Sequence, residues 1–475
     1  MEEMNREQRP VNPRRRKKTK WEIFKEAYLP LIIVAAAALL ILVFIIGSIV
    51  KAVEANRLEK EAEIAASEQQ EAEQTRLRIQ ADLLMSKAQI QAYGYDYDGA
   101  IATLESFEGD ISKFPQMTQQ RDQYNLAKTQ LVAWNDPNQI MNLSLQMLIA
   151  DPSRAFQDEK FSYSFTRNFL TCDEFSAILQ KLYDGGYVLV NTQDVYALEE
   201  VDGGAIYKAQ TIYLPSGKKP LILTQTNVNY HTYLTDSDGD KLPDGGGRGF
   251  ASKLVFDEAG ELTCEYADPS GQTLTGNYDM IPILNAFVKE HPDFSYHGAK
   301  AVIALTGYDG LFGYRTNSEA ERHFGTADYE AQIEAARKVG EKLVTDGYEL
   351  ACYTFENKAY GNFTAKEVEA DLSGWTSEVT RILPDVKIFA YAQNSDIASE
   401  GSFYNDQRFT ILSNAGFEVF LGFSNNGKPW TVITDSYVRQ GRTTLSPSAI
   451  KYHADWFGGL LDDSVLDPNR GEIPK

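Results

Sequence analysis

After an apolar run at Leu221, Ile222 and Leu223, the segment PLILTQTNVNY (220–230) passes through Thr224, Gln225, Thr226, Asn227 and Asn229. All five are polar and none is charged. At the C-terminal end of a buried parallel strand, where α/β folds carry their chemistry, such a set can donate and accept hydrogen bonds. It supplies no base and no charged metal ligand. Carboxylates occur instead in DSDGDKLPDGGGRG (236–249), where Asp236, Asp238, Asp240 and Asp244 follow the D-x-D-x-D-x-x-x-D spacing that curls oxygen ligands around calcium. Its sixth position, usually Gly, is Lys241, and no Glu stands at the twelfth, so an acidic flexible insertion is the competing reading. Glu356, Asp396 and Asp435 stand in segments that follow predicted strands and could do metal-free acid/base work; the plain alternative for each is a solvated surface carboxylate. His231 reads as a turn or surface histidine, and His291, His297, His323 and His453 fall in loops or at helix ends.

Strands and helices must alternate to position these residues. Apolar runs at 186–190, 219–224, 299–307, 348–354, 386–392, 417–423 and 431–436 read as strands. Helical patterns lie at 173–184, 278–290, 318–346, 365–383, 404–415 and 446–460, and 253–266 reads as an inserted hairpin. The alternation implies a parallel sheet, open or closed into a barrel, whose working face is built from segments that follow the strands. Upstream, residues 54–92 hold strong helix formers without Gly or Pro, and two further helical runs at 93–107 and 115–133 suggest a tetratricopeptide-like hairpin with a capping helix. A plain helical spacer is the simpler alternative.

The order of motifs over about 140–460 resembles the polysaccharide deacetylase family (NodB-like, carbohydrate esterase family 4). The resemblance rests on DEFSAILQKLYDGGYVLVNTQDVY (173–196), KKPLILTQTNVNY (218–230), YDMIPILNAFVKEHPDFSYHGAKAVIALTGYDGLFGYRT (278–316), DGYELACYTFENKAYGN (346–362) and IFAYAQNSDI (388–397). It implies a distorted (β/α) barrel in which one Asp and two His hold a divalent ion, and a neighbouring Asp is the base. In this chain the base position falls on Thr226 and the three ligand positions on Asn227, Tyr353 and Asn357. A threonine hydroxyl is no base at neutral pH, and neutral amides with a protonated phenol are poor ligands for zinc. The resemblance therefore implies a member without the family's metal. Tyr230, Tyr308, Tyr314, Arg315 and Trp375, with Tyr391 of the YAQN turn (391–394), remain as candidates to line a sugar groove.

The 475 residues exceed one ordinary domain, and the formal net charge of -21 is unevenly spread. Residues 1–28 carry nine Lys/Arg against five Asp/Glu, whereas residues 29–50 carry no charge, so the acidic excess lies from Lys51 onward. An acidic body argues against nucleic acid as a partner. The 22 uncharged residues LPLIIVAAAALLILVFIIGSIV would span roughly 33 Å as a helix, enough for a bilayer core of about 30 Å. RRRKKTK (14–20) precedes this span, so the positive-inside rule sets the N-terminus in the cytoplasm and the remainder outside. Three widely spaced cysteines, Cys172, Cys264 and Cys352, form neither a disulfide framework nor a zinc pattern.

The expected organisation is a cytoplasmic basic tail (1–28), a transmembrane helix (29–53), a helical stalk (54–135) and a deacetylase-like domain (136–475) with the 235–249 insertion. The expected function is a surface-anchored pseudoenzyme that binds envelope polysaccharide or peptidoglycan, with no metal at the family's zinc site. An active carbohydrate N- or O-deacetylase with a rearranged site and a non-catalytic envelope scaffold, partnered through the stalk, are the alternatives.

Overall fold

The computed structural model describes residues 17–475 except Asp238, Lys241 and Gly246. It divides into two compact units, Met1–Asp82 and Leu83–Lys475. In the first unit a short helical entry, Lys20–Ile23 and Phe24–Tyr28, leads into the helix Leu29–Tyr93, whose last turns belong to the second unit. The span is apolar on all sides, and Leu31, Phe44 and Ile49 stay exposed. A helix hydrophobic all round is suited to lipid rather than to water, and this one is long and apolar enough to cross a membrane.

The second unit begins with the close of that helix and two more, Tyr97–Glu105 and Pro115–Lys128. Asp96 caps the first through the Gly99 amide, and Ala88, Ala100, Leu104 and Met117 are buried among them. Tyr95 ties these helices to the rest of the unit: its hydroxyl donates to the Asp293 carbonyl at 2.6 Å, and its ring stacks on Tyr296.

Eight parallel strands follow: β1 (Met141–Leu145), β2 (Tyr187–Leu189), β3 (Lys219–Thr226), β4 (Val302–Leu305), β5 (Glu349–Cys352), β6 (Ile388–Ala390), β7 (Val419–Phe423) and β8 (Val438–Thr444). Seven of them close a barrel in the order β4-β5-β6-β7-β8-β1-β3, with β3 returning to β4. One edge of β3 is shared: Lys219–Leu221 pair with β2, and Thr224–Thr226 pair with β4. Leu143, Leu221, Leu223, Ile303, Phe389 and Phe420 face the surrounding helices. Ile222, Val302, Ala304, Ala351, Ile388, Ala390, Val419 and Leu421 fill the lumen, whose base is closed by Tyr196, Tyr207, Ile212 and Leu214.

Several sequence-based expectations change here. β1 and β8 are strands that the apolar-run criterion missed. The run at 431–436 is only a short strand, Thr431–Ile433, antiparallel to β8. The reason lies in the lumen, which is partly polar: Thr224 donates to Asn142 at 2.8 Å and Asn142 to Gln440 at 3.1 Å, all three fully buried. Strands that contribute such residues alternate polar with apolar and lose the continuous apolar signature. The hairpin at 253–266 is two strands of a three-stranded antiparallel sheet, Lys253–Phe256, Leu262–Ala267 and Thr273–Gly276. The helix expected over 318–346 breaks at Gly325, where φ is 84°.

Candidate site at the barrel mouth

The strand register sets Thr226, Asn227, Tyr353 and Asn357 at the C-terminal mouth. Thr226 closes β3 opposite Ala304, the Asn227 amide donates to the Ala304 carbonyl, and the Tyr353 amide donates to the Leu305 carbonyl one strand further on. The Thr226 hydroxyl donates to the Leu145 carbonyl at 3.2 Å, so it is bound into the barrel wall. Asn227 donates to Gln146 Oε1 at 3.1 Å, and the Asn357 carbonyl accepts from Gln393 at 2.5 Å. Among the described residues, no three His, Cys, Asp or Glu side chains gather where they could hold a metal ion.

Backbone strain concentrates here. Of the described non-glycine residues with positive φ, Asn227, Tyr230, Phe312, Thr354, Asn357, Gln393 and Asn394 all lie in segments that leave the C-terminal ends of β3, β4, β5 and β6. Asparagine tolerates this region; Thr354, β-branched at φ 61°, does not, and its hydroxyl holds its own loop by accepting from the Lys358 amide at 2.7 Å. Strain held in several adjacent loops marks a place whose geometry is imposed by the surrounding structure, as binding sites are.

The groove candidates divide. Tyr230 is fully buried and donates to Asp279 Oδ2 at 2.8 Å, so it has no face to offer a sugar. Arg315 is likewise closed in, donating to the Asp309 and Tyr230 carbonyls at 2.9 and 3.0 Å. Tyr391 points outward from the barrel against Phe389 and Tyr404, and Trp375 packs against Phe417 in the helical layer. Tyr308 and Tyr314 are half-buried; Tyr314 carries the Lys253 ammonium over its ring, and Tyr308 stacks on His231 at 4.9 Å. His231 is buried rather than at the surface, with Nδ1 3.5 Å from Asp309 Oδ2. The Asp309 carboxyl is held below its ordinary value: burial opposes this, but the neighbouring His231 ring and the Arg315 charge outweigh it. The sequence singled out His231 and Arg315 but not Asp309, and with members scattered over 231–315 nothing in their spacing signals that the three come together.

The three acid/base candidates separate as well. Glu356 is exposed and pairs with Lys358 at 3.1 Å. Asp396 pairs with the buried Arg439 at 2.8 Å, and burial raises its carboxyl despite that charge. Asp435 precedes β8 and so lies at the opposite end of the barrel, where its carbonyl accepts from the Tyr207 amide. In the Asp-rich loop, Asp236 accepts from the Gly239 amide, Asp240 from the Leu242 amide and Asp244 from the Ser237 amide, whereas Asp238 lies outside the described residues.

A cavity of about 230 Å³ opens on the mouth between the segments after β5, β6 and β7, lined by Asn362, Asn394, Ser395, Asn425, Phe423 and Trp430 with the carboxylates of Asp396 and Glu400. Its amides and hydroxyls give it the hydrogen-bonding chemistry of a sugar site, while its two rings carry arginines, Arg439 over Trp430 and Arg442 over Phe423. Against Phe423 of its wall lies Arg442, fully buried and read by no sequence signal. Its Nε donates to the Gly422 carbonyl at 3.2 Å and its Nη2 to the Tyr391 carbonyl at 2.5 Å, with the guanidinium 4.6 Å from the Phe423 ring.

A larger cavity, about 1020 Å³, opens at the base of the barrel and reaches Glu349, Thr192, Tyr207 and Glu418. Glu349 Oε2 and Oε1 accept from the Thr192 amide and hydroxyl at 2.7 and 2.6 Å, yet burial raises its carboxyl to about 7. A raised carboxyl stabilises the fold fully below the unfolded value of 4.5 and loses that contribution as pH rises through about 7. Glu349→Gln should therefore flatten the fall in stability between these pH values, a change of at most about 3 kcal/mol. Urea titrations at pH 5 and pH 8 read it; an unchanged pH dependence would show that Glu349 titrates normally.

Register and mouth together define a closed, seven-stranded parallel β/α barrel with a strained, amide-rich C-terminal mouth. No family model matches the chain, and no curated protein matches its sequence. Among solved structures, the Streptococcus pyogenes deacetylase PplD in complex with acetate aligns at a TM-score of 0.34 and 12% identity, over 68% of this chain and 97% of that one. A likeness at that TM-score carries no argument about the site.

Proposed function

We propose that this protein is a membrane-anchored carbohydrate-binding barrel of the polysaccharide deacetylase type that recognises cell-envelope glycan without hydrolysing it. The observation that carries the proposal is the mouth itself. Amides, hydroxyls and two carboxylates surround a cavity the size of about one sugar ring, and the positions that resemble the family's base and ligands hold Thr226, Asn227, Tyr353 and Asn357. Such groups hold hydroxyls and acetamides in place but do not activate water. The basic flank before the apolar span supports an orientation with the barrel outside the cell.

Metal analysis of the purified chain, coupled to a turnover assay on acetylated chitooligosaccharide and peptidoglycan and to direct binding measurements, tests this. Saturable binding with neither stoichiometric zinc nor acetate release is the expected result. Zinc at one per chain together with turnover would establish the hydrolase reading instead.

A protein-partner reading draws on a second feature. A groove of about 580 Å³ between the helices is lined by Gln89, Gln116, Gln119, Gln123, Tyr97 and Tyr124 among others, and none of its lining residues is charged. An uncharged, amide-rich groove suits an extended peptide. Loss of a co-purifying envelope protein on Tyr97→Ala and Tyr124→Ala would favour it.

A further inference from the structure

Four buried arginines stabilise the second unit, and three of them face a carboxylate: Arg315 with Asp309, Arg439 with Asp396 and Arg470 with Glu174. Arg442 differs. Among the described residues no carboxylate lies within ion-pair distance of it, and its Nη1 has no hydrogen-bond partner. Its remaining donors are held by the carbonyls that end β6 and β7, and its flat faces meet Phe423 and, at 5.8 Å, Tyr353. Burial lowers the guanidinium to about 10, which leaves it charged at neutral pH.

The carboxylates of the surrounding loops are engaged elsewhere. Asp309 is bound by Arg315 and the Thr232 amide, Asp396 by Arg439, and Glu356 by Lys358. Asp371 accepts from the Phe355 and Glu356 amides and the Tyr360 hydroxyl. Glu400, on the outer wall of the cavity, accepts from the Asn425 amide. Arg442 thus holds a positive charge with no carboxylate in ion-pair contact among the described residues; Asp396, already paired to Arg439, acts on it only from a longer distance. Removing a lone charge from water is costly unless a partner arrives, and a charge buried in this way is little screened by salt.

We infer that Arg442 makes the barrel mouth an acceptor for the carboxylate of an acidic sugar. This rests on the glycan-binding reading of the same mouth and names the ligand class within it. One uncompensated cation balances one carboxylate; a doubly charged phosphate would leave a negative charge facing a chain of net charge -21. The carboxylate can sit on the ring, as in a uronate, or on an ether substituent, as on a lactyl amino sugar.

Titration calorimetry of the full-length chain in detergent against three oligosaccharides tests the inference: an uncharged N-acetylated one, a uronate one and a lactyl-bearing one. The expected result is that one acidic oligomer binds at least about tenfold tighter than the uncharged one, that Arg442→Gln removes the difference, and that Arg442→Lys keeps most of it. Equal binding of all three by the native chain overturns the inference and leaves the glycan reading standing. Binding of none overturns both. If Arg442→Gln does not fold, the native chain still decides: an acidic oligomer that binds no tighter than its methyl ester counts against a charge-based subsite.

Discussion

Asp279→Ala should destabilise the fold by about 3–5 kcal/mol, read as a shift in the urea midpoint at neutral pH. Asp279 is fully buried, and three donors converge on it: the Leu148 amide at 2.9 Å, the Gln225 side chain at 2.7 Å and the Tyr230 hydroxyl at 2.8 Å. Those donors come from the segment after β1, from β3 itself and from the loop after β3, so one carboxyl fastens together the chain on one side of the mouth. Burial raises this carboxyl above its ordinary value, against the pull of the donors. The alanine variant leaves the donors orphaned in an apolar layer, which is why the loss exceeds that of a single hydrogen bond. Asp279→Asn retains an acceptor oxygen and should recover part of the loss. A midpoint unchanged by the alanine substitution would contradict the burial of this network.

Glu174→Ala should cost a similar about 3–5 kcal/mol, because it strips a buried cation of its partner. Glu174 and Arg470 are both shielded from water and bonded through both carboxylate oxygens, with Nε to Oε1 at 2.8 Å. Arg470 also donates to the Phe165 and Thr166 carbonyls, and Glu174 accepts from the Asp467 amide, so the pair fastens the C-terminal segment against the helix Cys172–Asp184. Replacing both residues, Glu174→Leu with Arg470→Met, should restore most of the stability, since an apolar pair removes the stranded charge. A double variant no better than the single one would mean that the backbone bonds, not the ion pair, hold the tail.

The barrel was legible where its strands are apolar. Leu221, Ile222 and Leu223, and likewise Val302–Leu305, announce buried parallel strands through residue type alone. β1 and β8 were not legible, because Asn142, Gln440 and Arg442 belong to a hydrogen-bonded lumen that exists only once β3, β1 and β8 are neighbours. The same limit explains the site. Residue type marked Tyr230, Arg315 and Tyr391 as sugar-facing, but direction follows from alternation along the chain and from partners such as Asp279, which lies 49 residues from Tyr230. Arg442 carried no signal at all: an arginine in VRQGRTT is unremarkable until its neighbours are found to lack a carboxylate.

The left-handed loops of the mouth also bear on engineering. A non-glycine, non-asparagine residue held there costs of order 1–3 kcal/mol, so Thr354 and Gln393 are places where glycine would relieve the folded state. On the proposed glycan-binding function, such changes would also release the loops that hold ligand-facing groups in place before a ligand arrives. A heat-resistant variant selected for folding alone is therefore expected to accumulate substitutions at these positions and to bind less well, which makes the mouth the region where selection for robustness and selection for recognition pull apart.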